Sequence, residues 1–193
     1  MEQKNNYRPD LGEIEAEMSR LEQKRRGNGH FRVFLIAFAL ALALGYFVAP
    51  RFLKFLAVSG NSMEYTLQAG DYVLCVKTNQ VKKGDIVVFR RKGATLLRRV
   101  IAIEGDQVTV EDDGSVEVNG ELLQEDYISD KGAGIGDAKY PYYIGKNELF
   151  VMGDHRGTAV DSRNSTIGTI KTDEIQGCVK LIFWPVYRIR VVE

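Results

Sequence analysis

Cysteine occurs only twice in the 193 residues, and so does histidine. Two cysteines cannot build a disulfide-dense scaffold. With His30 and His155 far apart in sequence, no spacing suits a structural zinc site either. No metal or other cofactor is expected. The chain also lacks an excess of either charge, with 26 basic and 26 acidic side chains. A dedicated nucleic-acid binder carries a basic surplus, so no nucleic-acid partner is expected. No period of 20–50 residues recurs, which excludes a solenoid or a propeller. An apolar fraction of 45% is that of a globular protein, which excludes a disordered chain. The length suits one domain of ordinary size with an appendage.

What is present is segregated along the chain. Residues 33–50 read VFLIAFALALALGYFVAP, without a charge. As a helix they span about 27 Å, close to the hydrocarbon thickness of a bilayer. Phe52, Leu53, Phe55 and Leu56 prolong the apolar character past Pro50. A core helix would carry a polar stripe, and none is visible. A cleaved signal peptide does not fit the long polar tail ahead of the run, nor the lack of a clean cleavage site after it. The run reads as one transmembrane helix. Lys24, Arg25, Arg26 and Arg32 precede it. The positive-inside rule then places the tail, 1–32, in the cytoplasm and 51–193 outside, in a single-pass cell-membrane protein whose partners include membrane lipid. In the tail, Leu11, Ile14, Met18 and Leu21 share one helical face over about 11–26, and Glu22 can pair with Arg26. A helix lying on lipid headgroups and a dimerisation helix both fit that face.

The outer part reads as mostly β. Strand-like runs occur at 72–78, 85–91, 95–104, 107–110, 115–118, 149–152, 177–184 and 187–192. Asp112-Asp113-Gly114 between two of them signals a hairpin. Residues 124–147, rich in Gly, Asp and Tyr, read as a loop-rich insert.

Ser59-Gly60-Asn61-Ser62-Met63 follows soon after the apolar run. Small polar residues there favour a turn that lifts a hydroxyl clear of the backbone. A hydroxyl placed so could be a nucleophile, with Gly60 and Met63 nearby as candidate substrate-binding positions. Three further segments follow in order: Gly84-Asp85-Ile86-Val87-Val88-Phe89, then Arg98 to Asp106, then Val151-Met152-Gly153-Asp154-His155-Arg156 with Asp161-Ser162-Arg163. Together with the apolar run, these segments resemble bacterial type I signal peptidase of the Gram-positive kind, over about residues 33–190. The resemblance implies a mostly β catalytic domain held by one N-terminal transmembrane helix. It implies a Ser/Lys serine endopeptidase that cuts the signal peptides of exported preproteins after small residues. Ser62 would then attack the scissile carbonyl, and its backbone N–H would stabilise the oxyanion.

The sequence departs from that family at several places: Ala102 and Glu104 stand for a Gly and a Pro, His155 stands for an Asn, and three further changes bear on the turn and the base. Tyr65 stands where the Ser-Met-x-Pro-Thr-Leu motif has Pro. Arg98 stands at the position of the general-base Lys. Ala159 stands where the last box has a Ser that orients that Lys. A Lys can be desolvated until it accepts a proton, but a guanidinium is treated as always protonated. With a pKa near ~13, roughly one molecule in a million is deprotonated at pH 7. Arg98 is therefore expected to sit as a fixed cation, held by a carboxylate or a carbonyl. Asp154, Asp161 and Arg163 form the structural loop of the site, with Asp161 and Arg163 expected to pair. His155 reads as structural. Among Lys77, Lys82, Lys83 and Lys92, only Lys77 is placed to point inward as a substitute base. Cys75 and Cys178 fall in apolar strands, as two buried thiols or as a disulfide if the strands are neighbours.

Two functional classes follow. One is a membrane-anchored serine endopeptidase acting on exported preproteins with impaired or lost catalysis. The other is a non-catalytic homologue that binds exported proteins and assists surface-pilus assembly. In either, the peptide would add as a strand along a sheet edge. A soluble self-cleaving repressor of related fold is excluded by the transmembrane run and the lack of a DNA-binding segment.

Overall fold

The computed structural model describes residues 10–192 except 79, 133 and 135, with the backbone only of 21–28, 48 and 49. The chain divides into two compact units, Met1–Ala49 and Pro50–Glu193.

The first unit is helical. Helix α1, Leu11–Phe52, runs unbroken through the stretch that the sequence divides into a tail helix and a membrane span, and it passes Pro50 before ending. Asp10 starts it. The Asp10 carboxylate accepts the Leu11 N–H at 2.9 Å, and the Glu13 side chain reaches back to the Asp10 N–H at 3.4 Å. This is a reciprocal cap written in the sequence as Asp-x-x-Glu. Gly29–Phe52 is long and apolar enough to cross a membrane, and every described side chain along it is exposed. In the tail, Leu11, Ile14 and Met18 are exposed. Leu21 and the Glu22–Arg26 pair lie outside the described side chains.

The second unit is β. Its strands are β1 (Leu53–Ala57), β2 (Tyr72–Val76), β3 (Ile86–Arg91), β4 (Ala94–Ile103), β5 (Gln107–Val110), β6 (Val116–Val118), β7 (Glu121–Leu122), β8 (Tyr142–Tyr143), β9 (Glu148–Met152), β10 (Ile170–Lys171), β11 (Ile175–Trp184) and β12 (Arg190–Val191). The larger sheet has the order β1-β2-β11-β3-β4-β9-β10, with β12 beside β11; the smaller has the order β7-β6-β5-β8. Strand β3 is central in the larger sheet, and Ile86, Val87, Val88 and Phe89 are all buried. The continuous apolar run is thereby explained: Ile86 and Val88 join one core cluster, and Val87 and Phe89 join another. A third cluster joins Val108, Val116 and Val118 of the smaller sheet to Ile101, Phe150 and Met152 of the larger. The hairpin at Asp112-Asp113-Gly114 is present, with Gly114 at φ 84° and the Ser115 N–H donated to the Asp113 carboxylate at 2.8 Å.

The apolar residues after Phe52 belong to the sheet: Leu53, Phe55 and Leu56 lie on β1, paired antiparallel with β2 from Leu53↔Val76 to Ala57↔Tyr72. One strand reading is corrected. The expected strand 187–192 shrinks to β12, because Val186–Arg188 forms a 3₁₀ turn after Pro185. The segment 124–147 is loop-rich and tied to the β unit. Tyr140, Tyr142 and Ile144 pack on the third cluster, and β8 pairs with β5.

The two cysteines are free and buried. They sit on neighbouring strands, yet Cys75 is opposite Val179 and Cys178 is opposite Val76. That one-residue offset sends the side chains to opposite faces, Cys75 into the first core cluster and Cys178 into the other. No disulfide forms between them.

Candidate active site

Three elements converge on Ser62: the loop between β1 and β2, strand β4, and the segment after β9. The loop is closed at its base by Val58 N–H to Asp71 O at 2.8 Å and Gly70 N–H to Val58 O at 3.0 Å. Met63 and Leu67, four residues apart, form a helical turn with Leu67 N–H to Met63 O at 2.7 Å. Both side chains are buried in the core. This anchoring fixes the half-buried Ser62 between a core residue and the open turn at Gly60, whose φ is 80°. The Ser62 carbonyl accepts the His155 N–H at 3.1 Å. Among the described residues, the Ser62 N–H meets no backbone acceptor.

Gly153 is required by close approach. A Cβ there would lie 2.6 Å from the Ser62 carbonyl oxygen and would overlap the Ala159 Cβ. Glycine thus lets the segment after β9 lie directly on the Ser62 backbone.

Arg98 is buried, only 5% exposed. Its Nη1 donates to Ser62 Oγ at 2.8 Å and to the Leu97 carbonyl at 2.6 Å. Its Nε and Nη2 both donate to the Val160 carbonyl, at 3.2 and 2.8 Å. Among the described residues it forms no ion pair within 4.0 Å. Burial pulls its pKa below the ordinary value; Asp161 opposes this, Arg163 reinforces it and Asp154 opposes it.

The other buried arginines each meet a carboxylate. Arg99 is bidentate to Asp154, with Nε–Oδ1 at 2.9 Å and Nη2–Oδ2 at 2.8 Å. Thr66 also donates to Asp154, and the Arg99 guanidinium lies 4.0 Å from the Tyr127 ring centre. Arg163 is bidentate to Asp161, with Nε–Oδ1 at 2.9 Å and Nη2–Oδ2 at 2.8 Å, and Asp161 also accepts the Gly153 N–H at 2.9 Å. Arg156 pairs with Glu125. Each bidentate pair holds its partners in a fixed plane, so the segment from Gly153 to Arg163 is clamped to β4 and to itself.

Of the residues singled out from sequence, Ser62 and Arg98 are in direct contact, and Gly60 and Met63 line the same small hollow beside them. The hollow holds about 40 Å³ and is also lined by Val58 and Leu97. Ala159 is buried behind Gly153. The His155 ring is taken up elsewhere, with Nδ1 at 3.2 Å from the Asn61 carbonyl and 3.5 Å from Glu64. Lys77, Lys82, Lys83 and Lys92 are all exposed, and no lysine lines the hollow. Lys77, the one expected to point inward, does not. The sequence reading gave no role to Thr66 and Arg156, which stand in the quoted motifs, and missed Glu125 and Tyr127. Glu125 and Tyr127 belong to the loop-rich insert, and no local pattern marks a residue whose partner is 31 positions away.

Tyr65 takes φ 83°. Proline is locked near −65°, so the turn cannot follow the path that a proline here would impose. The Tyr65 ring instead meets His155 edge-on, with centroids 5.7 Å apart.

Comparison with known proteins bears on the family of the chain. The family model described as signal peptidase, peptidase S26, matches residues 30–184. A signal peptidase I of Bacillus licheniformis is 31% identical over 172 residues, covering 82% of this chain and 89% of its own. Signal peptidase I T of Bacillus subtilis is also 31% identical over 172 residues, covering 82% and 86%. Among solved structures, a signal peptidase I of Enterococcus faecalis overlaps 51% of this chain and 96% of its own, with 24% identity and a TM-score of 0.42. With the family model spanning most of its length, from inside α1 to the end of β11, this chain belongs to the signal peptidase family, peptidase S26.

Proposed function

We propose that this chain is a membrane-anchored signal peptidase homologue that holds the small-residue end of an exported preprotein's signal peptide beside Ser62, with catalysis impaired or lost. The observation that carries the reading is the 2.8 Å contact from Arg98 Nη1 to Ser62 Oγ. Cleavage requires the Ser62 proton to leave as Oγ attacks the carbonyl carbon. The group against Oγ is an N–H donor of a delocalised cation, with no lone pair to receive that proton. In this reading Arg98 occupies the place of the family's general-base Lys. It would stabilise an alkoxide but cannot generate one.

The remaining machinery supports peptide binding. The Ser62 N–H stands ready for a carbonyl oxygen, and the hollow lined by Gly60 and Met63 suits a small side chain. Asp154, Asp161 and Arg163 are scaffold in this reading, and Ala159 replaces a hydroxyl that a Lys base would have used. The anchor is Gly29–Phe52, oriented by Lys24, Arg25, Arg26 and Arg32 with the N-terminus in the cytoplasm. Lipid contact by the β unit is supported by exposed Phe55, Trp184, Val186, Tyr187, Ile189 and Val191. The second reading, a non-catalytic homologue that assists surface-pilus assembly, rests on Arg98 and Ala159 alone.

The test is cleavage of an Ala-x-Ala signal-peptide substrate by the detergent-solubilised chain beside Ser62→Ala and Arg98→Lys. We expect the wild type to be silent or nearly so, and Arg98→Lys to gain cleavage that Ser62→Ala abolishes when combined with it. Efficient cutting by the wild type that Ser62→Ala removes would overturn the reading. Silence in all three would favour the assembly role.

A further inference from the structure

Four arginines are buried around Ser62, and three carboxylates, Asp154, Asp161 and Glu125, answer Arg99, Arg163 and Arg156. The surplus cation is Arg98, and it lies against the nucleophile's oxygen. A buried charge held only by neutral acceptors, here the Leu97 and Val160 carbonyls and the Ser62 hydroxyl, is undercompensated.

The same place holds unspent donors. A guanidinium has five N–H groups. Four of the Arg98 N–H groups are accounted for by the bonds to Val160, Leu97 and Ser62, which leaves one on Nη2. Ser62 Oγ accepts from Arg98, and among the described residues its own O–H donates to no acceptor. The Ser62 N–H is likewise without a backbone acceptor among them. One positive charge and three donors beside an apolar hollow of about 40 Å³ describe a receptor for an anion that carries a small side chain.

We infer that the site binds a peptide ending in a free carboxylate on a small residue, and prefers it to the uncut chain. The terminal carboxylate takes the Ser62 O–H and N–H with Arg98 behind them, and the last side chain fills the hollow between Val58, Met63 and Leu97. An internal amide at the same place offers one neutral oxygen and leaves the charge of Arg98 unanswered. Charge-assisted hydrogen bonds are about twice as strong as neutral ones, so the free acid gains over the amide. The ligand class is therefore the carboxyl end produced by peptide-bond hydrolysis, a cut signal peptide rather than an intact preprotein. This deepens the reading proposed above and rests on its peptide groove.

The experiment titrates the detergent-solubilised full chain with two fluorescent peptides, identical through Ala-x-Ala and ending either as the free acid or as the amide, read by anisotropy. We expect the acid to bind about tenfold tighter or more, and Arg98→Gln to bring the two together. Equal affinities in the wild type overturn the inference and leave the groove reading intact. Binding of neither peptide overturns the groove reading itself. An acid preference that survives in Arg98→Gln overturns the assignment to Arg98. The wild-type ratio does not depend on how a variant folds. Ser62→Ala, which removes one donor and no charge, is expected to lower the preference only in part.

Discussion

Arg98 and Arg99 are neighbours on β4, both are buried, and alternation along the strand sends them to opposite sides. Arg99 meets a carboxylate edge-on, a second hydroxyl and an aromatic face. Arg98 meets carbonyl oxygens and the Ser62 hydroxyl. The difference separates two uses of the same side chain. On the Arg99 side the charges cancel, and the result is a clamp that holds the segment after β9 in place. On the Arg98 side a positive charge is left over beside the Ser62 hydroxyl. A matched pair builds structure, whereas an unmatched cation is a feature a ligand can respond to.

The sharpest way to break this comparison is to remove one partner on each side. Asp154→Ala strands the Arg99 guanidinium in the interior and is expected to cost about 3–5 kcal/mol, read as a lowered unfolding midpoint of the solubilised chain. Arg98→Gln strands no carboxylate and is expected to cost less than about 2 kcal/mol, mainly at the Val160 carbonyl. Equal losses would erase the distinction.

Gly153→Ala probes the layer between the two sides. Its Cβ meets the Ser62 carbonyl and Ala159, so an overpacking loss of about 1–3 kcal/mol is expected, together with weaker peptide binding as Ser62 is displaced. Unchanged stability and binding would show that the segment after β9 does not press on Ser62.

Tyr65 sharpens the site side alone. A bulky residue at φ 83° carries left-handed backbone strain. Tyr65→Gly should raise stability by up to about 1 kcal/mol, and Tyr65→Pro should lower it. Thermal unfolding of the two variants in parallel reads both signs, and a gain on Tyr65→Pro would contradict the observed turn.

A last contrast concerns the two buried thiols, which belong to different core clusters. Burial pushes Cys75 up to about 12 and Cys178 up to about 11, from 9.0. A pKa raised on folding favours the native state below the unfolded value, and that stability is lost as pH rises through the folded one. Stability should therefore drop from about pH 9 toward 11, less so in Cys75→Ala. Neither thiol should react with iodoacetamide at pH 8 until the protein is unfolded.

How much of this was legible follows from locality. The charge-free run at 33–50, the Asp112-Asp113-Gly114 hairpin and the apolar stretch at 86–89 of β3 are short-range patterns, and each became the element it indicated, with the helix extending beyond the run at both ends. The Ser62 and Arg98 motifs were legible as motifs. What the sequence misjudged were features set by distant partners. Leu53–Ala57 was not marked as a strand because β2, its partner, lies well downstream. In the region 124–147, read as a loop-rich insert, nothing local shows that Glu125 answers Arg156 or that Tyr127 covers Arg99.

The sequence by itself determined a mostly β domain following one apolar helix, and the residue types at the site, because periodicity and side-chain chemistry are properties of short stretches. Only the tertiary structure decided that Arg98 touches Ser62 without a carboxylate within reach, that the lysines face outward, and that a single register step keeps Cys75 and Cys178 apart. Those outcomes depend on which strands pair and in what register, and pairing is fixed by the burial of whole faces rather than by any one residue.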